Sequence, residues 1–152
     1  MAVNDPLPTA DFKSLLDAQW NASNVVEPLF REVNSSDAFV NLNLANDSAS
    51  TDAVVIFPGN PAIEETFIGN HSYGDREYNL QIQVFSMTSR QRLWDLMREI
   101  RRICHAQRHS MTNFQRVLFR SMNEVDLENN ENIWHGVIDV VLENRSISLE
   151  IV

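Results

Sequence analysis

The sequence predicts an α+β fold: a mainly antiparallel sheet of about four to five strands, with one long amphipathic helix and a short N-terminal helix packed on it. Three observations carry the prediction. Residues 78–85, YNLQIQVF, alternate strictly, with Tyr78, Leu80, Ile82 and Val84 on one side and Asn79, Gln81 and Gln83 on the other. That is the period of a strand with one packed face and one wet face. The period then switches: Leu93, Leu96, Met97, Ile100, Ile103 and Cys104 fall on one stripe at about 100° per residue, as on a helix buried along one side. Strand-like segments flank this pair, giving the order α-β-β-(arm)-β-α-β-β-β.

Taken in order, residues 9–20, TADFKSLLDAQW, read as a short helix capped by Thr9, with Phe12, Leu15 and Leu16 inward. Pro28 interrupts the next segment. Residues 39–45 alternate Val40, Leu42 and Leu44 with Asn41 and Asn43, a half-buried strand. After the turn DSASTD, residues 53–57, AVVIF, form a β-branched strand stopped by Pro58 and Gly59.

Residues 58–77 hold three of the four glycines and little periodicity, with a short strand at 66–68. Long insertions of this kind are functional or disordered, and this one reads as a hairpin arm. Strand 78–85 follows. Thr88, with Gln91 three residues on, forms a capping box that starts the long helix near Ser89 and runs it to 108. Strands are expected at 114–121 and 133–143, separated by an acidic turn. ENRS then breaks the chain before ISLEIV, whose Ile147, Leu149 and Ile151 alternate to the terminus.

A chain of 152 residues builds one domain, so 1–152 reads as a single unit with an arm and a C-terminal strand or docking tail. No apolar run approaches the length of a membrane helix, about 20 residues. The start lacks the basic end and apolar core of a secretory leader. Cys104, the lone cysteine, excludes an internal disulfide and fits a reducing compartment. The five glycosylation sequons, at Asn21, Asn34, Asn46, Asn70 and Asn144, then read as chance products of an Asn- and Ser-rich chain.

Charge is distributed unevenly. The net charge is −9, yet residues 90–120 hold eight of the twelve basic residues and two acids, Asp95 and Glu99. A positive block on a negative body favours head-to-tail self-association or an acidic partner. Nucleic acid fits less well, because a net acidic chain repels phosphate at long range. The acid surplus with a single lysine is similar to proteins of high-salt cytoplasm, a pattern that high-GC codon usage yields equally.

Opposite the apolar stripe of the long helix lie Arg98, Arg101, Arg102, His105 and His109, with Trp94 one turn from Arg90, Arg98 and Arg101. This face is either a solvated arginine face with Trp94 half-buried at its edge, or an interface, since Trp and Arg are over-represented at binding hot spots. The expected interface residues are Arg90, Trp94, Arg98, Arg101, Arg102 and His105, together with Ile147, Leu149 and Ile151 of the tail. The arm offers Glu64, Glu65, Phe67, His71 and Tyr73 to a neighbour.

His105 and His109 have a zinc-ligand spacing, but Arg101, Arg102 and Arg108 would repel a dication and Cys104 belongs to the buried stripe. No metal is expected. His135 and His71 read as surface residues. No phosphate loop, G-x-S-x-G or CxxC occurs, and the pair Glu64–Glu65 lacks a neighbour to split its acidities. Neither a catalytic residue nor a cofactor is expected.

At the level of pattern the chain resembles the tail-terminator, or tail-completion, proteins of long-tailed phages and related archaeal viruses. The opening helix FKSLLDAQW, the strand AVVIFP with its Gly/Pro-containing arm, the strand REYNLQIQVFS running into RLWDLMREIRRI, and the closing strands FQRVLFRS and IWHGVIDVVLE carry the resemblance. It implies a virion subunit of the neck, assembled in the host cytoplasm, that forms a hexameric ring, caps the tail tube and meets the head-closure or connector protein. DNA would then only pass through the ring, and no membrane partner is implied. The segment between first helix and first strand is longer than this family usually has, and ISLEIV adds a strand to it, so a head-closure or head–tail joining role stays open. From other classes, a cellular α+β binding module and a nucleic-acid-binding domain using the arginine helix also remain.

Overall fold

Alternating, β-branched segments build the centre of the molecule. The computed structural model describes residues 7–32, 52–69, 73–125 and 133–149. Over these the order is α1 (Pro8–Gln19), β1 (Leu29–Glu32), β2 (Asp52–Ile68), β3 (Tyr73–Ser86), α2 (Arg90–Ala106), β4 (Arg116–Val125) and β5 (Trp134–Ser148). The strands form one sheet in the order β1-β2-β3-β5-β4. β1 pairs parallel with β2, and the other three pairings are antiparallel. The fold is α+β, as the sequence predicts.

Both helices cover the same face. Tyr78, Leu80, Ile82 and Val84 of β3, Val54 and Ile56 of β2, and Ile138, Val140 and Leu142 of β5 join Phe12 and Leu16 of α1 in one buried cluster. The α2 stripe of Leu93, Leu96, Met97, Ile100, Ile103 and Cys104 completes it, every member at most 1% exposed. Each such side chain contributes about 1.5–3 kcal/mol on burial, so this layer dominates stability. Gly136 lets α2 come close: a Cβ there would sit 2.5 Å from Met97 Sδ.

Several expected boundaries are corrected. Thr9 does not cap α1. Leu7 occupies the N-cap without a side-chain bond, Pro8 opens the helix with its fixed φ, and Thr9 is buried inside it. Ser89 rather than Thr88 caps α2, its Oγ accepting from Arg92 N at 3.1 Å. Gln91 bonds Asp95 instead of closing a box, and the helix spans 90–106. β1 went unforeseen because a four-residue parallel strand is too short to display a period. Strand 39–45 lies outside the described residues.

Pro58 and Gly59 do not stop β2. The strand passes them through a register shift between Pro58 and Ile63 and pairs on to Ile68↔Tyr73, a bulge being where a sheet tolerates proline. The arm is therefore a regular hairpin, not an irregular insertion. ENRS does not end the last strand either. β5 continues to Ser148 along β3, with a shift between Gly74 and Arg76 and a positive φ of 54° at Ser146. β4 begins two residues later than expected and reaches Val125.

Candidate functional site

Two surfaces come out of this framework: the outer side of α2, and the arm with the sheet face beside it. On α2, local chemistry separates arginines that hold the fold from those that do not. Arg92 Nε donates to Asp52 Oδ2 at 2.8 Å, and the same carboxylate accepts from Ser86 Oγ at 2.7 Å, so the start of α2 is tied to β2 and β3. Arg102 meets Glu99 at 2.5 Å and donates to Gln19 O at 3.0 Å. Glu99, 3% exposed, also accepts from Asn21 N at 2.8 Å. Burial alone would raise this carboxyl, but the hydrogen bonds from Arg102 and Asn21 and the Arg102 charge hold it below the usual range. Arg90 forks onto Glu124 of β4 at 2.9 and 2.8 Å.

What remains lies on the flank of α2 that overhangs β4. Arg98 is 56% exposed with a loose contact to Asp95 at 3.8 Å. Among the described residues, Arg101 and Arg108 make no ion pair. His105 is exposed and lies tilted over Phe119, ring centres 6.0 Å apart. Trp94 is half-buried and packs against the core cluster. The expected helix interface is thus divided: Arg98, Arg101, Trp94 and His105 share one flank, Arg90 is paired at its edge, and Arg102 faces α1 as a structural clip.

The second surface begins at the arm. From Pro61 to Phe67 every residue is exposed. Of the five exposed large apolar residues among those described, three sit here: Ile63 at 43%, Phe67 at 53% and Tyr73 at 57%. Strand alternation puts Ile63, Glu65 and Phe67 on the side that continues the helix-covered face, where Arg76 meets Glu65 at 3.0 Å. Glu64, Asp75, Glu77 and Tyr73 occupy the other side. Glu64 and Glu77 are directly opposed in the ladder, an arrangement that costs free energy. Asn79 Nδ2 donates to Glu64 at 2.8 Å, and Arg120 reaches Glu77 at 3.4 Å.

Beside the arm the outer sheet face carries a groove of about 370 Å³, bordered by Gly59–Pro61 on β2 and by Arg120 and Ser121 on β4. Its floor is Asn79 and Gln81 of β3 with Asp139 and Val141 of β5. Both borders are irregularities of the ladder, the second being the register shift between Phe119 and Ser121. Sequence reading missed Ile63, Asp139 and Arg120, because only the register places them together.

The tail is built into the chain's own sheet. Ile147 and Ser148 pair with Gly74 and Tyr73, and Arg76 donates to Leu149 O at 3.4 Å. The described part thereby forms the third strand of the arm. Ile151 and His71 lie outside the described residues.

His135 departs from the expected surface role. It is 9% exposed, stacks on Phe85 at 4.3 Å, and neither ring nitrogen has a hydrogen-bond partner. Burial pushes its pKa down. Burial also pushes the Cys104 thiol up to about 12. Among the described residues no three His, Cys, Asp or Glu side chains gather to hold a metal, and no helix is long and apolar enough to cross a membrane. No protein-family model matches the chain, and no curated protein matches it.

Proposed function

We propose that the chain is a structural subunit of a tailed-virus neck: a tail terminator that assembles into a ring, hexameric in the resemblance, and that caps the tail tube and joins tail to head. The arm is the observation that carries this reading. A three-stranded extension exposing Ile63, Phe67 and Tyr73 leaves contact area that a protein partner would bury. The charge division supports it, with unpaired guanidinium groups on the α2 flank and carboxylates on the arm. Tail tube protein and the head-closure or connector protein are the partners, within a virion assembled in host cytoplasm. Head-closure or head–tail joining would use the same surfaces.

A nucleic-acid-binding role for the arginine helix is weakened. Arg90, Arg92 and Arg102 each hold a carboxylate of this chain, leaving fewer charges for phosphate. Electron microscopy of the purified protein tests the proposal, alone and with tube protein. Rings with a central hole are expected. A protein that stays monomeric in both cases, or that binds DNA with affinity collapsing as salt rises, overturns it.

A further inference from the structure

The two surfaces carry opposite charge and lie on different sides of one molecule. Around the groove and the adjoining arm, Glu64, Asp75, Glu77, Asp139 and Glu143 outnumber three guanidinium groups, Arg120, whose side chain is 52% exposed, and Arg116 and Arg145, both bound to Glu143. On the α2 flank the balance is reversed, with Arg98 and Arg101, and Arg108 in the turn after the helix, against Asp95. Each surface also carries an aromatic residue: Tyr73, exposed on the arm, and Trp94, half-buried at the base of the flank.

We propose that the groove and the acidic side of the arm receive the Trp94 flank of α2 from a second copy of the chain, joining subunits head to tail. The proposal rests on the ring reading for its setting and names the surfaces that meet. Arg98 and Arg101 enter between Glu64 and Asp139, where the groove has room for guanidinium groups and its floor offers the amides of Asn79 and Gln81. A cation between Glu64 and Glu77 relieves their repulsion, which the isolated chain offsets only in part, with the Asn79 amide on Glu64 and the Arg120 and Arg145 guanidinium groups near Glu77.

The geometry allows a closed assembly. On the helical wheel, taking Leu93 as origin, the buried stripe centres near 340° and the Trp94 flank near 100°, at about 100° per residue. The stripe points through the sheet toward the groove face, so the two docking directions differ by about 120°. Head-to-tail contacts between two surfaces that face different ways build a closed ring when the rotation from copy to copy closes, and a filament when it does not.

The test pairs two charge-reversed chains, Arg98→Glu with Arg101→Glu, and Glu64→Lys with Asp139→Lys, each checked for native circular dichroism. All four positions are partly or fully exposed, so the fold should survive. Sedimentation should show self-association of the native chain weakened at least about tenfold in each reversed chain. An equimolar mixture of the two should regain association, because one retains an intact groove and the other an intact flank. Reversed chains that associate like the native one, a mixture that stays monomeric, or a native chain that never associates would each overturn the pairing. Micrographs separate this from the ring reading: open filaments sensitive to both reversals keep the pairing and remove the ring, while rings indifferent to both do the opposite.

Discussion

Arg102→Ala removes the guanidinium from a carboxylate that cannot easily recover water. The Glu99 side chain is 2% exposed and that of Arg102 is 42% exposed. Breaking a fully buried pair from one side costs about 3–5 kcal/mol. Here one partner already touches solvent and Asn21 N still bonds the carboxylate, so we expect about 2 kcal/mol, read as a lower urea midpoint with unchanged slope. The pH dependence supplies a second reading. Because the folded Glu99 carboxyl is held low, its stabilisation is complete above the unfolded value of about 4.3 and is lost as pH falls through the lower folded value. Arg102→Ala should flatten that acid limb. A variant with native stability and acid profile but impaired assembly would refute the reasoning and return Arg102 to the interface.

Three further outcomes are expected. Gly136→Ala, which forces a methyl against Met97 Sδ at 2.5 Å, should cost about 1–2 kcal/mol in chemical denaturation, since methionine yields partly. His135→Phe should keep the stack on Phe85 and remove two unpaired nitrogens. With the folded pKa depressed, the native histidine loses stability as pH falls from about 6.5 toward the folded value, and the variant, followed by urea titration at several pH values, should lack that decline. Deleting residues 146–152 should lower the monomer's thermal midpoint, because Ile147 and Ser148 belong to its own ladder; an unchanged monomer that fails to assemble would identify a docking arm instead.

Periodicity made the centre legible. β3 and the α2 stripe were readable because each repeats one rule over many residues, 2.0 or 3.6, with burial following. The ends of elements were not, for identifiable reasons. Pro58 reads as a stop unless a bulge absorbs it, and a bulge follows from the partner strand rather than from local sequence. Asn144 and Arg145 read as a turn, yet they are held by Gln115, the residue before β4, about thirty residues away in sequence. Arginines on α2 could be counted but not fully sorted: Glu99 sits three residues before Arg102 on the same helix, whereas Asp52 and Glu124 are brought to Arg92 and Arg90 only by folding. The groove had no signal in sequence at all, being assembled across β2, β3, β4 and β5.

The order β1-β2-β3-β5-β4 also bears on biosynthesis. β3 and β4 are linked through α2, yet they never touch as neighbours; the slot between them is filled by residues 134–148, the last of the described strands to leave the ribosome. A nascent chain lacking that strand holds two unpaired edges and an uncovered stretch of α2, a state that invites chaperones and proteases. Subunits would then become durable only once translation has passed Ser148, so incomplete chains are cleared before they can poison an assembly. Stalled nascent chains ending before Trp134 should be digested throughout, and those carrying Ser148 beyond the exit tunnel should resist.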